Sequence, residues 1–355
     1  MIKNIIIICL ILVILYLNID KLYKFYKNIR KDYYSSQTLE VKSDLSNMKK
    51  EQEVIQITIK KNIKKIVKDK KLREVLLYVM TEGKKVRPII VTSIYKKLVD
   101  IPELPEFVMQ CAIAIEYIHA SSLVMDDIMD DDDYRRGKMS LHIRYNSTIA
   151  QLAAILLFSM GLENIFDGLD KLQKEKPDTN KNISLLIGNI FSKLLHELVI
   201  GQYLDVSMPD TIFNQDKIKG IENVIHKKTS SLFEYSFVIP WILANYNKSD
   251  EELEKGIKNI TEISRKFGLM FQISDDFEDY IQDQERNDSN ITMNYVINLG
   301  YNDAYKEYNK IVQDFKLTAS NENILTKEIS EIEGYLTKKV DVYYNQNYKI
   351  KKIDY

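Results

Sequence analysis

The run Ile118–His142, IHASSLVMDDIMDDDDYRRGKMSLH, passes from an apolar helical pattern into a dense patch of aspartates and then two arginines. Asp126, Asp127 and Asp130 stand at i, i+1 and i+4. On a helix, Asp126 and Asp130 then lie one above the other, with Asp127 beside them. Carboxylates ~6 Å apart repel by roughly 3 kcal/mol at an effective dielectric of about 20, so this face calls for counter-charge. Hard divalent cations favour such oxygen ligands, and magnesium shares its coordination with water and substrate phosphates. A solvated acidic face is the plain alternative for any single run of this kind. Leu123, Val124 and Met125 argue against it, because they bring the helix out of a core.

The pattern recurs far downstream. The stretch FQISDDFEDY, residues 271–280, places Asp275, Asp276 and Asp279 after the apolar lead-in Leu269–Ile273. Two such motifs, each closing an apolar helix, can face each other across a cavity and hold metal between them. With Arg135-Arg136-Gly137 after the first, the pair DDIMD and DDFED resembles the trans-isoprenyl diphosphate synthases (polyprenyl synthetases), in particular those of the geranylgeranyl diphosphate synthase type. The resemblance runs from Lys70 to Gly300. It implies an all-α fold, an isoprenoid synthase-type bundle of long helices around a central cavity. It also implies a homodimer, up to three Mg2+ ions, and two substrates, isopentenyl diphosphate and an allylic diphosphate.

Composition agrees with a helical protein. Only 11 Gly and 6 Pro interrupt 355 residues, 45% of them hydrophobic, which is ample for a large core. A net charge of −1 offers nothing to nucleic acid. Cys9 and Cys111 lie far apart in apolar runs and suggest neither a disulfide framework nor a zinc site.

Residues 1–19 read as a transmembrane anchor. Ile2–Ile19 is apolar except for Lys3, Asn4 and Asn18, and 18 helical residues reach about 27 Å, enough for a thin bilayer. A signal peptide is the rival, but no small-residue cleavage site follows. Lys21, Lys24, Lys27, Arg30 and Lys31 follow the apolar run, so the positive-inside rule keeps the downstream domain on the cytosolic side of a single-pass protein. Residues 20–47 read as a basic juxtamembrane segment and linker, and 48–355 as the synthase domain.

Within that domain Met48–Met80 reads as one Lys-rich helix, with Ile55, Ile59, Ile63, Ile66 and Val67 on a stripe. Gly83–Pro88 breaks the pattern, with Pro88 placed to open the next helix. Lys84 and Arg87 flank that helix start, a natural cradle for diphosphate, though an ordinary basic loop would look the same. The resemblance gives Lys84, Arg87, His119 and Arg136 to isopentenyl diphosphate. It gives Arg135, Lys228, Thr229 and Gln272 to the allylic diphosphate, with the Thr229 oxygen also stabilising the carbocation. Asp205, in GQYLD, would hydrogen-bond the basic group nearby. Asp126, Asp130 and Asp275 would bind metal, with Asp127 and Asp279 as supporting or occasional ligands. Pro240, Trp241 and Asn245–Asp250 read as a helix end and turn.

The chain departs from the family after the second motif. Most members carry a Gly-Lys and a further basic residue there; here only Arg286 is basic. Tyr301–Tyr355 reads as polar helix with a Lys/Tyr tail and no legible chemistry.

The implied reaction is ionisation of the allylic diphosphate, attack by the isopentenyl double bond, and loss of a proton. Ser122 lies one turn before Asp126 and Ser121 beside it, where aromatics tend to stop the chain at fifteen carbons. Two serines leave the tunnel open, so a product of about twenty carbons or longer is expected by the resemblance, with Ile115, Ile118 and Tyr95 as candidate floor. Two readings compete: a non-catalytic subunit tuning an active synthase, favoured by the altered flap, and a terpene cyclase, which has no need of an isopentenyl site.

Overall fold

The apolar lead-in to the first acid motif forms a helix buried along most of its length, and the other elements pack around it. This computed structural model describes residues 41, 43–81, 83–176, 183–207, 216–286 and 292–353. The first helices are α1 (Ser46–Ile66), α2 (Lys70–Met80), α3 (Val86–Val99) and α4 (Glu106–Met129). A two-strand ribbon, β1 (Tyr134–Arg135) and β2 (Lys138–Met139), follows, then α5 (Leu141–Arg144), α6 (Ser147–Glu175), α7 (Ile183–Ser207) and α8 (Lys217–Ile225). A π-helical turn, His226–Ser230, leads into α9 (Ser231–Ala244) and α10 (Asp250–Glu278). Short α11 (Tyr280–Arg286) and α12 (Tyr295–Leu299) precede α13 (Tyr301–Asn321) and α14 (Lys327–Ile353). The expected all-α class is what the described residues form. The proposed anchor at 1–19 and most of the segment 20–47 lie outside them.

Small side chains let α4 and α6 lie close together. Ala112, Ala114 and Ala120 on α4 and Ala150, Ala153 and Ala154 on α6 are all buried. The helices run antiparallel: Ser121 donates to the Ala154 carbonyl at 2.8 Å, while Gly161 lies against Ala114 and Ile118. An aromatic cluster, Phe233, Phe237, Phe267 and Phe315, joins α9, α10 and α13 with ring centroids 5.1–6.4 Å apart. Such tilted and edge-on pairs stabilise beyond their buried area. The last helix is tied back to the first, since Glu331 accepts from the Asn47 and Met48 amides at 3.1 and 2.9 Å.

Several boundaries differ from those expected, each for a local reason. Met48–Met80 is two helices, because Val67 is extended and Asp69 caps α2 by accepting from the Leu72 amide at 2.7 Å. Pro88 is the third residue of α3, within the first turn, where no intrahelical N–H is lost. Pro240 and Trp241 lie inside α9, which ends at Ala244. The helix delivering the second acid motif starts with a capping box, Ser249 with Glu252, and is interrupted at Asp279 before α11.

Candidate active site

Both acid motifs open onto one cavity of about 1440 Å³. Asp126 and Asp130 end α4, and Asp275 and Asp279 end α10, all four lining that space. The basic residues the sequence singled out line it too: Lys84, Arg87, His119, Arg135, Arg136 and Lys228.

The first acid motif is held by three partners. Gln202 on α7 donates to Asp126 Oδ1 at 2.8 Å, and Lys228 Nζ lies 3.4 Å from the same oxygen. Lys228 also pairs with Asp205 at 2.5 Å, so the expected link of Asp205 to a nearby base is present. Burial pulls the Lys228 pKa down, but Asp205, Asp126 and Asp130 more than offset it and leave it raised. Arg135 donates through Nε to Asp127 Oδ1 at 2.5 Å and approaches Asp126 at 3.5 Å. Asp127 itself is buried outside the cavity lining. Of the two roles expected for it, this position matches the supporting one: it orients Arg135.

Lys228 and Thr229 sit in the π-turn, where the widened helix pushes their side chains toward the cavity. Gly201 makes room for this turn, since a Cβ there would lie 2.3 Å from the Lys228 backbone nitrogen. Thr229 donates to Gln272 Oε1 at 2.8 Å, and Gln272 donates to Asp276 Oδ1 at 2.9 Å. The Tyr295 amide donates to the other Asp276 oxygen at 2.7 Å. Asp276, pushed up to about 8 by burial, thus ties the second motif to the returning chain. Asp279 is pushed up to about 7, by burial first and then by Asp283 and Asp275. Asp130 is raised by burial and by Asp126.

The second cationic group lies around the start of α3. Arg87 is buried, Nη1 3.1 Å from His119 Nε2, its guanidinium over Phe233. Its Nε is a buried donor with no hydrogen-bond partner among the described residues. Buried donors are rarely left unmet, so an anion suits this position. Burial lowers Arg87 to about 10 and, with Arg87 and Arg136 nearby, holds His119 well below the usual imidazole range. Gly83, at φ +89°, leaves space for the Arg136 guanidinium: a Cβ there would lie 2.1 Å from Nη1. Lys84 rests on the Tyr335 ring, 3.4 Å from its centroid, while Lys85 turns inward to a buried pair with Glu116 at 2.9 Å.

Below the polar rim the lining is apolar: Ile118, Phe158, Leu198, Leu232 and Phe271. Ser121 and Ser122 line it as well, with the Ser122 hydroxyl donating to the His119 carbonyl at 2.8 Å. Ile118 belongs to the lining, whereas Ile115 and Tyr95 do not; Tyr95 packs edge-on to Phe107. Phe158 lines the cavity from the neighbouring helix. It lies on α6 between Ala154, opposite Ser121, and Gly161, opposite Ile118.

Besides Phe158, the residues missed in the sequence come from the chain's last third. Lys339 on α14 pairs with Asp275 at 2.7 Å and with Glu278, and Tyr335 supports Lys84. The polar C-terminal stretch therefore does hold site residues. The Arg286 side chain and residues 287–291 of the flap lie outside the described part of the structure.

Among the described residues no three His, Cys or carboxylate side chains converge tightly enough to cage an ion alone. Magnesium seldom needs such a cage when substrate phosphates complete its coordination. Asp126, Asp130, Asp275 and Asp279 fit that use. They are aspartate oxygens on facing helix ends, and burial and neighbouring carboxylates raise the pKa of two of them, Asp130 and Asp279.

The sequence profile of the polyprenyl synthetase family matches residues 69–294. This chain belongs to that family. It is 34% identical over 205 residues to a short chain isoprenyl diphosphate synthase of Methanocaldococcus jannaschii, covering 58% of this chain and 56% of that one. It is 32% identical to geranylgeranyl pyrophosphate synthase 10, mitochondrial, of Arabidopsis thaliana, over 61% of this chain and 59% of that one. The chain thus spans a little over half the length of these curated relatives. A trans-prenyltransferase of African swine fever virus is 26% identical over 74% of both chains. Among solved structures, a geranyltransferase from Legionella pneumophila superposes with a TM-score of 0.66 at 22% identity, covering 83% of this chain and 96% of that one. The bundle of this polyprenyl synthetase family member is therefore shared with isoprenoid synthases.

Proposed function

We propose that this family member is a magnesium-dependent trans-prenyltransferase. It condenses isopentenyl diphosphate with an allylic diphosphate (dimethylallyl, geranyl or farnesyl) to a product of about twenty carbons or longer. One observation supports this above the others: two aspartate pairs from separate helices line one cavity, with cationic groups on either side of it. Magnesium held by Asp126, Asp130, Asp275 and Asp279 would supply Lewis-acid withdrawal of charge from the leaving diphosphate. Lys228 and Arg135 stand beside those carboxylates to bind the same diphosphate. Lys84, Arg87, His119 and Arg136 form the second anion site and hold isopentenyl diphosphate so that its double bond faces the allylic carbon. Thr229 and Gln272 present oxygens at the π-turn, where positive charge would develop. The departing diphosphate is the base for the final proton, and no side-chain nucleophile is required.

The deciding experiment incubates the full chain with Mg2+, labelled isopentenyl diphosphate and each allylic primer, followed by mass spectrometry of products. Elongated prenyl diphosphate that vanishes with EDTA is expected. No product with any primer would favour the non-catalytic subunit. Consumption of a prenyl diphosphate without isopentenyl diphosphate would favour the cyclase. Product length is read in the same assay: Ser122→Phe should shorten the product and Phe158→Ala lengthen it, because both side chains line the cavity on the facing helices α4 and α6. Unchanged distributions in both would remove this account of length.

The reading extends to placement and assembly. The apolar segment 1–19 is proposed as a retained membrane anchor with the synthase domain on the cytosolic side. Alkaline carbonate extraction of membranes tests it: release of the full chain would overturn it. A homodimer is proposed from the outward faces of α6 and α7. Leu152, Ile155 and Phe166 on α6, and Leu185 and Val199 on α7, are more than half exposed.

A further inference from the structure

The last helix reaches the second acid motif from the far end of the chain. Asp275, Asp276, Glu278, Asp279 and Asp283 all line the cavity, and from Tyr280 to Tyr295 the only basic residue is Arg286. Lys339 comes to this cluster from α14, 64 residues beyond Asp275 in the chain. Its side chain is only 8% exposed; Nζ lies 2.7 Å from Asp275 Oδ1 and also contacts Glu278. Tyr343, one turn later, donates to Glu278 at 3.1 Å. Burial disfavours a charged lysine, yet Asp275 and Glu278 outweigh it and hold the ammonium protonated.

We propose that Lys339 is a resident cation of the second acid motif, bound to Asp275 in the substrate-free protein, and that a divalent ion takes Asp275 only as Lys339 lets go. This rests on the reading of Asp275 as a metal ligand. A carboxylate already satisfied by a buried ammonium gives a metal ion less, and a positive charge next to the ion repels it. A diphosphate entering between the two motifs changes the balance. It offers Lys339 three or more anionic oxygens within reach of a flexible four-carbon stem. The ammonium then moves from carboxylate to phosphate, and Asp275 is released to the metal. Metal binding at this motif thereby depends on diphosphate, and the C-terminal helix supplies the positive charge that other family members place on the flap.

The test is calorimetric titration of the full chain in detergent with Mn2+, alone and with inorganic pyrophosphate. K339M keeps the side chain's bulk and removes its charge. It should bind Mn2+ alone at least about tenfold more tightly than the wild type, and the gain conferred by pyrophosphate should shrink by a similar factor. K339R keeps the charge and can hold Asp275 with two donors, so Mn2+ alone should bind about threefold or more weakly. Equal affinity in wild type and K339M overturns the proposal. Should K339M fail to fold, unchanged or tighter binding by K339R overturns it. D275N separates the two layers: if it leaves the Mn2+ titration untouched, Asp275 is not a ligand and the underlying reading fails. If D275N abolishes binding while K339M matches the wild type, only the role of Lys339 falls.

Discussion

Asp126 and Asp127 are neighbours with different tasks. Asp126 faces the cavity between Gln202, Lys228 and Arg135, whereas Asp127 is buried and spends one oxygen on Arg135 Nε. Asp126→Asn should lower kcat/KM at least about a hundredfold, as expected for loss of a group that meets the reacting charge. Asp127→Asn should cost about tenfold, because only the orientation of Arg135 is loosened. Steady-state kinetics of the two variants decide this, and a larger loss in Asp127→Asn would refute the division. His226, at the head of the π-turn, gives a pH prediction. Its Nδ1 is buried without a hydrogen-bond partner among the described residues, and burial, aided by Arg265, lowers its pKa from 6.5 to about 4. Between those values the unfolded chain binds the proton and the folded protein does not, so this stabilisation is full above 6.5 and is lost as pH falls toward 4. Raised carboxylates such as Glu234 and Asp279 act with the opposite sign, so the contribution must be read as a difference between proteins. His226→Gln should lose less Tm than the wild type on going from about pH 7.5 to about pH 4.5. Equal losses would show that His226 is not the group responsible.

Helix packing decides where the chemistry can sit. The π-turn holds Lys228 and Thr229 only because α7 passes it at Gly201 with no side chain between them. Gly201→Ala forces a methyl into backbone and should destabilise by about 1–3 kcal/mol while displacing Lys228, so activity and stability fall together. Ser249→Ala removes the capping box of α10, about 1 kcal/mol, far from the cavity, and should lower stability while leaving kcat unchanged. Urea unfolding paired with turnover measurements tests both; a stable but inactive Ser249→Ala would contradict the local role of the cap. The same elements show what was legible in the sequence. The two acid motifs and their apolar lead-ins were readable because helical periodicity fixes which face neighbouring residues share, whereas Asp205 in GQYLD came from the family resemblance. The break at Val67 was missed because the isoleucine stripe continues across it, and only Asp69 hints at a new N-cap. The π-turn has no periodic signature at all. Lys339 was out of reach for a different reason: nothing local distinguishes it from other helical lysines, and its partner lies 64 residues away.

At the scale of the whole molecule, the outward faces of α6 and α7 remain to be explained. Both helices are long and apolar enough to cross a membrane by composition, yet α7 buries little of its most apolar stretch within the chain. Leu152 and Ile155 on α6 and Val199, Tyr203 and Val206 on α7 are exposed at helical spacing. Val199, Tyr203 and Val206 also line the cavity, so the apolar surface and the wall of the active site are continuous. Contiguous apolar patches beyond a few hundred Å² are rare on monomers and mark association. Pairing of two copies across these helices would bury the patch and stiffen the wall behind Gln202 and Asp205. The full chain in detergent should therefore run as a dimer in light scattering. The double variant Leu152→Asp, Ile155→Asp should run as a monomer, since two buried carboxylates on each copy would face the other with no counter-charge. Its turnover should fall with dimer content across a concentration series, because the wall that places Gln202 against Asp126 would lose its support. A variant that stays dimeric would move the interface elsewhere. One that is monomeric with full turnover would show that each chain builds its site alone.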